Sequence, residues 1–196
     1  MLSKAENTRL NILQQAFALV YRNGYQNTSI DDIIATTQVT KGAFFYHFKN
    51  KDEMGLAMIN EVMYPGMLSS MVTPLLNAKD PVKEIYRMMD GLLLRSKASD
   101  ARYGCPAVNL VDEMSAVNIS FQKALLRLFE QWQSAIQQCI RSGREAQRIR
   151  ADVDERQVAA FVLAGYSGVR NMGKLLGRPS YKIYLKEFKN YLEKLR

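Results

Sequence analysis

The sequence contains few of the side chains from which metal centres and disulfide frameworks are built. Its 196 residues include two cysteines, Cys105 and Cys139, and a single histidine, His47. Two cysteines are too few for a disulfide framework or a four-cysteine zinc site, and one histidine excludes every motif that needs two histidine ligands. An enzyme that used Cys105 as its nucleophile would lack a partner base. We therefore expect no metal, no cofactor and no enzymatic activity.

Long apolar runs are missing as well. The chain has no uncharged apolar stretch of about 18 residues, so it predicts no transmembrane helix. Residues 1–9 are polar and lead into no apolar segment with a small-residue cleavage site, so they predict no signal peptide. The apolar share of 47% nevertheless excludes a disordered chain. We expect a folded, cytoplasmic protein.

Positive charge is present in excess. The chain has 27 Lys and Arg residues against 19 Asp and Glu, a net charge of +8. Such a balance favours a polyanionic partner, although it says nothing about the fold. Residues 1–55 hold six bases and five acids, whereas residues 178–196 hold six bases and two acids. If the N-terminal segment binds DNA, it must therefore do so with a few well-placed cations.

Helical periodicity runs through the chain and predicts an all-α fold of about nine helices. Glycine and proline fall between the periodic segments. No short run that alternates apolar and polar residues is bounded by hairpin turns, so no β-strand is predicted. The first apolar stripe, within residues 5–22, ends at Gly24, a typical helix C-cap. Pro65 and Pro74 predict breaks or kinks in the middle of the chain.

Residues 29–48 form the most informative motif. Ser29 and Thr40 are suited to cap two short helices, which a break of three or four residues separates. This arrangement is typical of a helix–turn–helix, whose second helix fits the major groove of DNA. Gly42 and Ala43 would let that helix approach the base edges closely. A helical hairpin inside an ordinary bundle would show the same pattern.

The string Val39–Lys51 resembles the recognition-helix signature of TetR-family transcriptional regulators, and residues 24–33 match a second pattern of that family. The resemblance covers residues 8–57. It implies a DNA-binding domain at residues 1–50, followed by an effector-binding and dimerisation domain at residues 51–196. It also implies a homodimer that binds a palindromic double-stranded DNA operator, usually as a repressor that a small-molecule effector releases. The alternative is a helical protein that binds a hydrophobic ligand and no specific DNA.

The resemblance also implies which residues contact DNA. The nine candidates are Thr28, Thr40, Lys41, Gly42, Ala43, Phe45, Tyr46, His47 and Lys51. Of these, Thr28, Thr40 and Lys51 would contact phosphates, and the residues at 41–43 would face the bases. Phe45 stands where the family commonly has a tyrosine, so a hydroxyl that often binds phosphate is missing.

Four residues around the motif need separate interpretations. Phe44 and Phe48 are one helical turn apart and are expected in the core. His47 could be a solvated residue at the helix end, or it could donate to a phosphate with a raised pKa. Gln38 replaces a glycine that is common in this turn of the family, which predicts a left-handed backbone at a cost of about 1 kcal/mol.

The C-terminal part contains a candidate dimer interface. Ala164, Gly165 and Gly168 lie at helical spacing within the predicted helix 154–176, and small residues let another helix approach closely. The resemblance places this helix and the one predicted over 180–195 in a homodimer interface. Packing within one chain is the alternative.

Adaptable apolar side chains predict an effector pocket in the C-terminal part, suited to a hydrophobic or electrophilic effector. The candidates are Met67, Met71, Met89, Tyr103, Cys105, Phe121 and Trp132. Each of them could instead be an ordinary core residue.

Cys105 has two interpretations. It opens a predicted short helix, whose N-terminal amides would lower the pKa of its thiol. Residues 104–115 resemble a TetR subgroup that includes the N-ethylmaleimide-responsive regulator. That resemblance implies a redox-sensing pair of Cys105 and Lys174, while the alternative is a buried structural cysteine. Cys139 is expected in the core.

Overall fold

The computed structural model describes residues 3–96 and 100–196. Within these two ranges the chain forms nine helices and no β-strand. This number counts each helical turn that continues a helix as part of that helix, and it leaves out one 3₁₀ turn at Ala101–Tyr103. The predicted all-α fold is thereby confirmed.

The helices in chain order are α1 (Lys4–Asn23), α2 (Ile30–Ala35), α3 (Lys41–His47), α4 (beginning with Lys51–Met58), α5 (beginning with Pro81–Asp90), α6 (Pro106–Met114), α7 (Ile119–Glu145), α8 (Glu155–Leu176) and α9 (Arg178–Glu193). Side-chain caps define most of the early helix starts. Ser3 and Ser29 each form a reciprocal capping box, with Glu6 and Asp32 respectively. Gly24 ends α1 with a φ of 87°, as its position in the sequence predicts.

Helix α4 is not broken at either of its prolines. After Lys51–Met58 it continues through a π-helical turn at Ile59–Met63, an α-helical turn at Tyr64–Met67, a second π-helical turn at Leu68–Val72 and a last turn at Thr73–Leu76. Because a proline has no backbone N–H, it removes one hydrogen bond of the helix. In the π-helical turns of α4, backbone N–H and C=O groups pair over five residues instead of four. Helix α5 is extended in the same way by a π-helical turn at Gly91–Arg95.

The chain divides into two compact units. The first unit consists of Met1–Gly66 and Pro106–Leu126, and the second of Met67–Cys105 and Arg127–Arg196. Helix α6 and the start of α7 therefore pack with the N-terminal helices. The domain boundary predicted at residue 50 stays a prediction.

Each unit has its own apolar core. Helices α1 to α4 each contribute fully buried side chains to the first core: Ile12, Leu13, Ile33, Phe44, Met54 and Met58. In the second unit, the Trp132 ring packs edge-on against Tyr166, with 5.2 Å between the ring centroids. No helix in the described parts of the chain combines the length and the apolar character needed to cross a membrane.

Candidate DNA-binding surface

Helix α3 has one buried face and one exposed face. Phe44 and Phe48 are 0% and 1% exposed, so they anchor the helix in the first core as expected. On the other face, Phe45 and Tyr46 are 45% and 79% exposed. A side chain at Gly42 would meet no atom within 4 Å, so the start of this face is open to an approaching partner. The arrangement presents one side of α3 to solvent while the other side packs in the first core.

The N-terminus of α3 is ordered by its cap and by an ion pair. The Thr40 hydroxyl accepts a hydrogen bond of 3.2 Å from the backbone N–H of Ala43. The Lys41 ammonium lies 3.0 Å from the Asp31 carboxylate of α2, and both side chains are exposed. Because an exposed ion pair contributes little free energy, Lys41 can exchange Asp31 for another anion.

Lys51 is held against Tyr25 at the start of α4. Its ammonium lies 4.4 Å from the centre of the Tyr25 ring and donates to the Gln26 carbonyl over 3.4 Å. Burial lowers the pKa of Lys51, and the nearby carboxylates of Asp52, Glu113 and Asp32 oppose that shift. The ammonium is thereby fixed close to the N-terminus of α4.

The side chain of Thr28 does not lie where the sequence analysis expects it. Its side chain is 0% exposed, and its hydroxyl donates a 2.7 Å hydrogen bond to the Gly24 carbonyl. The hydroxyl stabilises the turn between α1 and α2 and does not reach the surface where a phosphate would bind. The expected contact of the Thr28 side chain with phosphate is therefore withdrawn.

The turn between α2 and α3 also differs from expectation. Among the described non-glycine residues only Gln147 has a positive φ, so Gln38 is not left-handed. The backbone N–H groups of Thr36 and Thr37 donate to the carbonyls of Ile33 and Ile34, which turns the chain at the end of α2 without a left-handed residue. A glycine is therefore not needed at position 38.

His47 is partly buried at the C-terminal end of α3. Burial, followed by the positive charge of Arg9, lowers the pKa of its imidazole from the ordinary value of 6.5. The direction is opposite to the one expected beside a phosphate, because the free protein places a cation and not an anion next to the ring. Both effects favour the neutral form of the His47 imidazole in the free protein.

Arg9 is a functional candidate that sequence reasoning missed. Its guanidinium donates to both carboxylate oxygens of Glu61 over 2.6 and 3.1 Å, and to the His47 carbonyl over 3.1 Å. It also lies 4.5 Å from the centre of the Phe48 ring. The sequence did contain a signal for this role. Arg9 lies three residues before Ile12 and four before Leu13, so it is on the core face of α1. An arginine on such a face needs a partner.

A polar groove next to α3 was missed as well. It has an open volume of about 480 Å³ and is lined by one face of α1 and by the turn before α3: Lys4, Asn7, Thr8, Asn11, Gln38 and Val39. Amide, hydroxyl and ammonium donors of this kind are those that contact phosphate oxygens in protein–DNA complexes. In the sequence, the polar face of the amphipathic helix α1 could have indicated this groove.

Comparison with known proteins identifies the family. Residues 75–186 match the family described as tetracyclin repressor-like, C-terminal domain, and residues 12–58 match the bacterial regulatory proteins of the tetR family. The chain belongs to the TetR family. It is a DNA-binding transcriptional regulator with the helix–turn–helix that its sequence predicts.

Similar proteins include both sequence relatives and a solved structure. An uncharacterized HTH-type transcriptional regulator of Lactococcus lactis is 38% identical over 137 residues, which are 66% of each chain. The HTH-type transcriptional repressor DhaR of Mycobacterium sp. (strain GP1) is 28% identical over 82% of this chain and 79% of its own. A TetR-family regulator of Cytophaga hutchinsonii shares the fold, with a TM-score of 0.87 and 20% identity over 100% of this chain and 98% of its own.

The effector candidates of this TetR-family regulator fall into both units. Phe121 is 0% exposed and packs on Tyr25, with ring centroids 5.0 Å apart, in the first unit. The other candidates all belong to the second unit, and a pocket role for Phe121 stays a prediction.

Within the second unit the candidates differ in burial. Met89 is 0% exposed, whereas Met67, Met71 and Tyr103 are half-buried. Trp132 is 2% exposed, and its indole N–H donates to the Met88 sulfur over 3.3 Å. A pocket made of these residues remains a prediction.

Cys105 is buried, at 5% exposure, just before α6. The aliphatic part of Lys174 lies against Gly104, so the predicted lysine is placed beside the residue that precedes the cysteine. Redox sensing by Cys105 and Lys174 stays a prediction. Cys139 is 4% exposed, and burial raises the pKa of its thiol to about 12, as fits a core cysteine.

The small residues of α8 have different surroundings. Gly165 provides room for the Tyr184 hydroxyl of α9, so it serves packing within one chain. Gly168 has open space around it, and Phe161, Met172 and Leu175 on the same helix are 45%, 53% and 90% exposed. One face of α8 therefore leaves apolar area in contact with solvent. Among the described residues, no group of three His, Cys, Asp or Glu side chains could hold a metal ion.

Proposed function

We propose that this TetR-family regulator acts in the cytoplasm as a homodimeric repressor, which binds a palindromic operator through α3 and which a small-molecule effector releases. The observation that supports DNA binding is the exposed face of α3, which is held in place by the fully buried Phe44 and Phe48. A helix anchored on one side and open on the other is what insertion into a major groove requires.

The proposed contacts follow the exposure of the side chains. Lys41, Gly42 and Ala43 at the start of α3 face the bases, and Phe45 and Tyr46 contact bases or backbone further along. Thr40, His47 and Lys51 lie at the helix ends, where donors reach phosphates. The polar groove along α1 extends these phosphate contacts.

The charge distribution supports specific recognition over general attraction to DNA. The first unit, residues 1–66 and 106–126, contains seven Lys and Arg residues and eight Asp and Glu residues, so its net charge is −1. A surface without excess positive charge gains little from counterion release. Affinity for the operator must then come from a small number of positioned contacts.

The proposed dimer uses the exposed apolar face of α8 with part of α9. Phe161, Gly168, Met172 and Leu175 are spaced so that they share one side of α8, and Ile183 of α9 is 74% exposed. The partner we propose is a second copy of the chain, because a two-fold axis would cover this face with itself and bring two copies of α3 to one palindrome.

Dimerisation is tested by sedimentation of the Leu175→Glu variant. We expect this variant to be monomeric, because two buried carboxylates would face each other across the axis. Leu76→Glu serves as the matched control, since Leu76 is 59% exposed in the same unit but lies on α4. A Leu175→Glu protein that sediments as a dimer would contradict the interface.

DNA binding is tested by selection from a random duplex pool, followed by titration of the selected sequence over a range of salt concentrations. We expect a palindrome bound by two protomers. Lys41→Ala and Tyr46→Ala remove exposed side chains without touching the core, so they should abolish binding in a normally folded protein. Lys123→Ala, an exposed lysine on α7 of the same unit, is the control. Recovery of no sequence motif, or unchanged binding by both variants, would refute the proposal.

A further inference from the structure

Gln38 begins an exposed stretch of the chain that leads into α3. Its side chain is exposed in the turn between α2 and α3, two residues before Thr40, which caps α3. Thr40, Lys41 and Gly42 are exposed as well, and Val39, which separates Gln38 from Thr40, is half-buried. The candidate DNA-binding surface therefore extends from α3 back to Gln38.

Neither the backbone nor the core requires a glutamine at this position. Gln38 does not have a positive φ, and the turn is formed by hydrogen bonds from the backbone N–H groups of Thr36 and Thr37. An exposed side chain also adds little apolar area to the core. Because folding does not depend on this residue type, the carboxamide of Gln38 is available to a binding partner.

The Gln38 side chain lines the polar groove beside α3, whose open volume is about 480 Å³. The opposite side of this groove is a stripe of α1 with residues at positions i, i+3, i+4 and i+7: Lys4, Asn7, Thr8 and Asn11. Of the six described lining residues, three carry a carboxamide, one is a cation and none is acidic.

Carboxamides are better matched to base edges than to phosphates. A phosphate group only accepts hydrogen bonds, so it would leave the oxygen of a carboxamide without a role. The edge of an adenine offers a donor and an acceptor side by side, and a carboxamide pairs with both. The composition of the groove therefore favours at least one contact with a base.

The position of Gln38 in the helix–turn–helix places it close to base edges. In this motif the N-terminal residues of the recognition helix contact bases in the major groove. Two residues of chain span at most about 7 Å, and successive base pairs are about 3.4 Å apart. The Cα atom of Gln38 therefore lies within about two base-pair steps of the bases that the start of α3 contacts, a distance that a long, flexible side chain can cover.

We propose that Gln38 is a specificity-determining residue, whose carboxamide binds one adenine in the major groove of each operator half-site. Its Nε2 donates to adenine N7, and its Oε1 accepts from adenine N6. The sugar–phosphate strand beside this base lies along the groove, where Lys4 and Asn11 donate to phosphate oxygens. This inference rests on the proposed function of operator binding, and it adds a base contact from outside α3.

The first experiment repeats the selection from a random duplex pool with three full-length proteins. We expect the unmodified protein to select an adenine at one position of each half-site, with a loss of about 5- to 150-fold in affinity when that pair is changed to G·C. Gln38→Ala should accept all four base pairs at this position and keep the rest of the motif. Gln38→Glu should favour cytosine there, because a carboxylate accepts from cytosine N4.

The second experiment separates a base contact from a phosphate contact. Replacing the adenine by 7-deazaadenine removes the N7 acceptor, so it should weaken binding by the unmodified protein and leave binding by Gln38→Ala unchanged. In a salt series, Gln38→Ala should keep the slope of the unmodified protein, because a neutral side chain releases no counterion. Lys4→Ala should instead weaken binding equally on all sequences and reduce the slope by about one.

Gln122→Ala is the matched control, because Gln122 is an exposed glutamine on α7 of the same unit and does not line the groove. This variant should select the motif of the unmodified protein with the same affinity. The 7-deazaadenine duplex tests the contact in the unmodified protein, so the result does not depend on the folding of any variant.

The outcomes separate this inference from the proposed function. An unchanged motif with Gln38→Ala, a loss of affinity that is equal on all sequences, or full binding to the 7-deazaadenine duplex would overturn the base contact. Selection of a palindrome together with any of these results would leave the DNA-binding function intact. Selection of no motif by the unmodified protein would overturn both.

Discussion

Arg9 of α1 and Glu61 of α4 form a two-pronged ion pair, with nitrogen–oxygen distances of 2.6 and 3.1 Å. The third nitrogen of the same guanidinium donates to the His47 carbonyl at the end of α3. One side chain therefore connects α1, the end of α3 and the first π-helical turn of α4.

Replacement of Arg9 should weaken operator binding. Arg9→Ala removes the contacts with His47, Phe48 and Glu61, and we expect it to destabilise the protein by about 1–3 kcal/mol. Glu61→Gln should cost less than about 1 kcal/mol, because the pair is partly exposed to solvent. Thermal unfolding and operator titration measure the two effects. Arg22→Ala, an exposed arginine at the end of α1, is the control, and equal behaviour of Arg9→Ala and Arg22→Ala would contradict the role.

Removal of the Asp31 charge should tighten operator binding. Asp31 pairs with Lys41 at 3.0 Å in the free protein and would face phosphates in the complex. Asp31→Asn frees Lys41 and removes a repulsion, a gain of up to about 1 kcal/mol, the size of an exposed ion pair. The gain should shrink as salt is added, because salt screens exposed charges. Fluorescence anisotropy with Asp112→Asn as control checks this, and weaker binding by Asp31→Asn would show that Asp31 does not face the DNA.

His47 should make the protein less stable in mild acid. Its pKa in the folded state is lowered by burial and by Arg9, so below pH 6.5 the unfolded chain binds more protons than the folded one. The free energy of unfolding should therefore fall as the pH drops below 6.5, and His47→Gln should reduce that fall. Because the chain has one histidine, proton NMR reads the pKa of this imidazole directly. A measured pKa at or above 6.5 would rule this out, and Arg9→Ala should raise it.

Gly42→Ala should stabilise the fold and weaken DNA binding at the same time. A methyl group at this position meets no protein atom within 4 Å, and alanine favours the helix by up to about 1 kcal/mol over glycine. The same methyl group would stand between α3 and the base edges. Gly55→Ala is the contrasting variant, because its methyl group would lie 2.6 Å from the Phe121 ring and should destabilise the first core. Unfolding curves measure the stability, and operator titrations measure the affinity. If Gly42→Ala raised both quantities or lowered both, the role of Gly42 would be contradicted.

Local features were predictable from the sequence, because neighbouring residues determine them. The caps at Ser29 and Thr40, the glycine that ends α1 and the spacing of Phe44 and Phe48 indicated the first three helices correctly, since capping and helical periodicity act within a few residues. The family pattern in residues 39–51 then placed the recognition helix. The exposed face of α3 follows from the burial of those two phenylalanines.

Contacts between distant parts of the chain were decided by the tertiary structure alone. Thr28 has the residue type of a phosphate ligand, but the fold turns its hydroxyl inward to Gly24. Phe121 is a pocket or core candidate in the sequence, and only the fold shows that its ring packs against Tyr25. In the sequence, Arg170 is one more base within the predicted helix 154–176, and only the packing of α8 against α9 and the segment before α6 buries it. Burial depends on which helix faces meet, and a periodic pattern identifies an apolar face without identifying its partner.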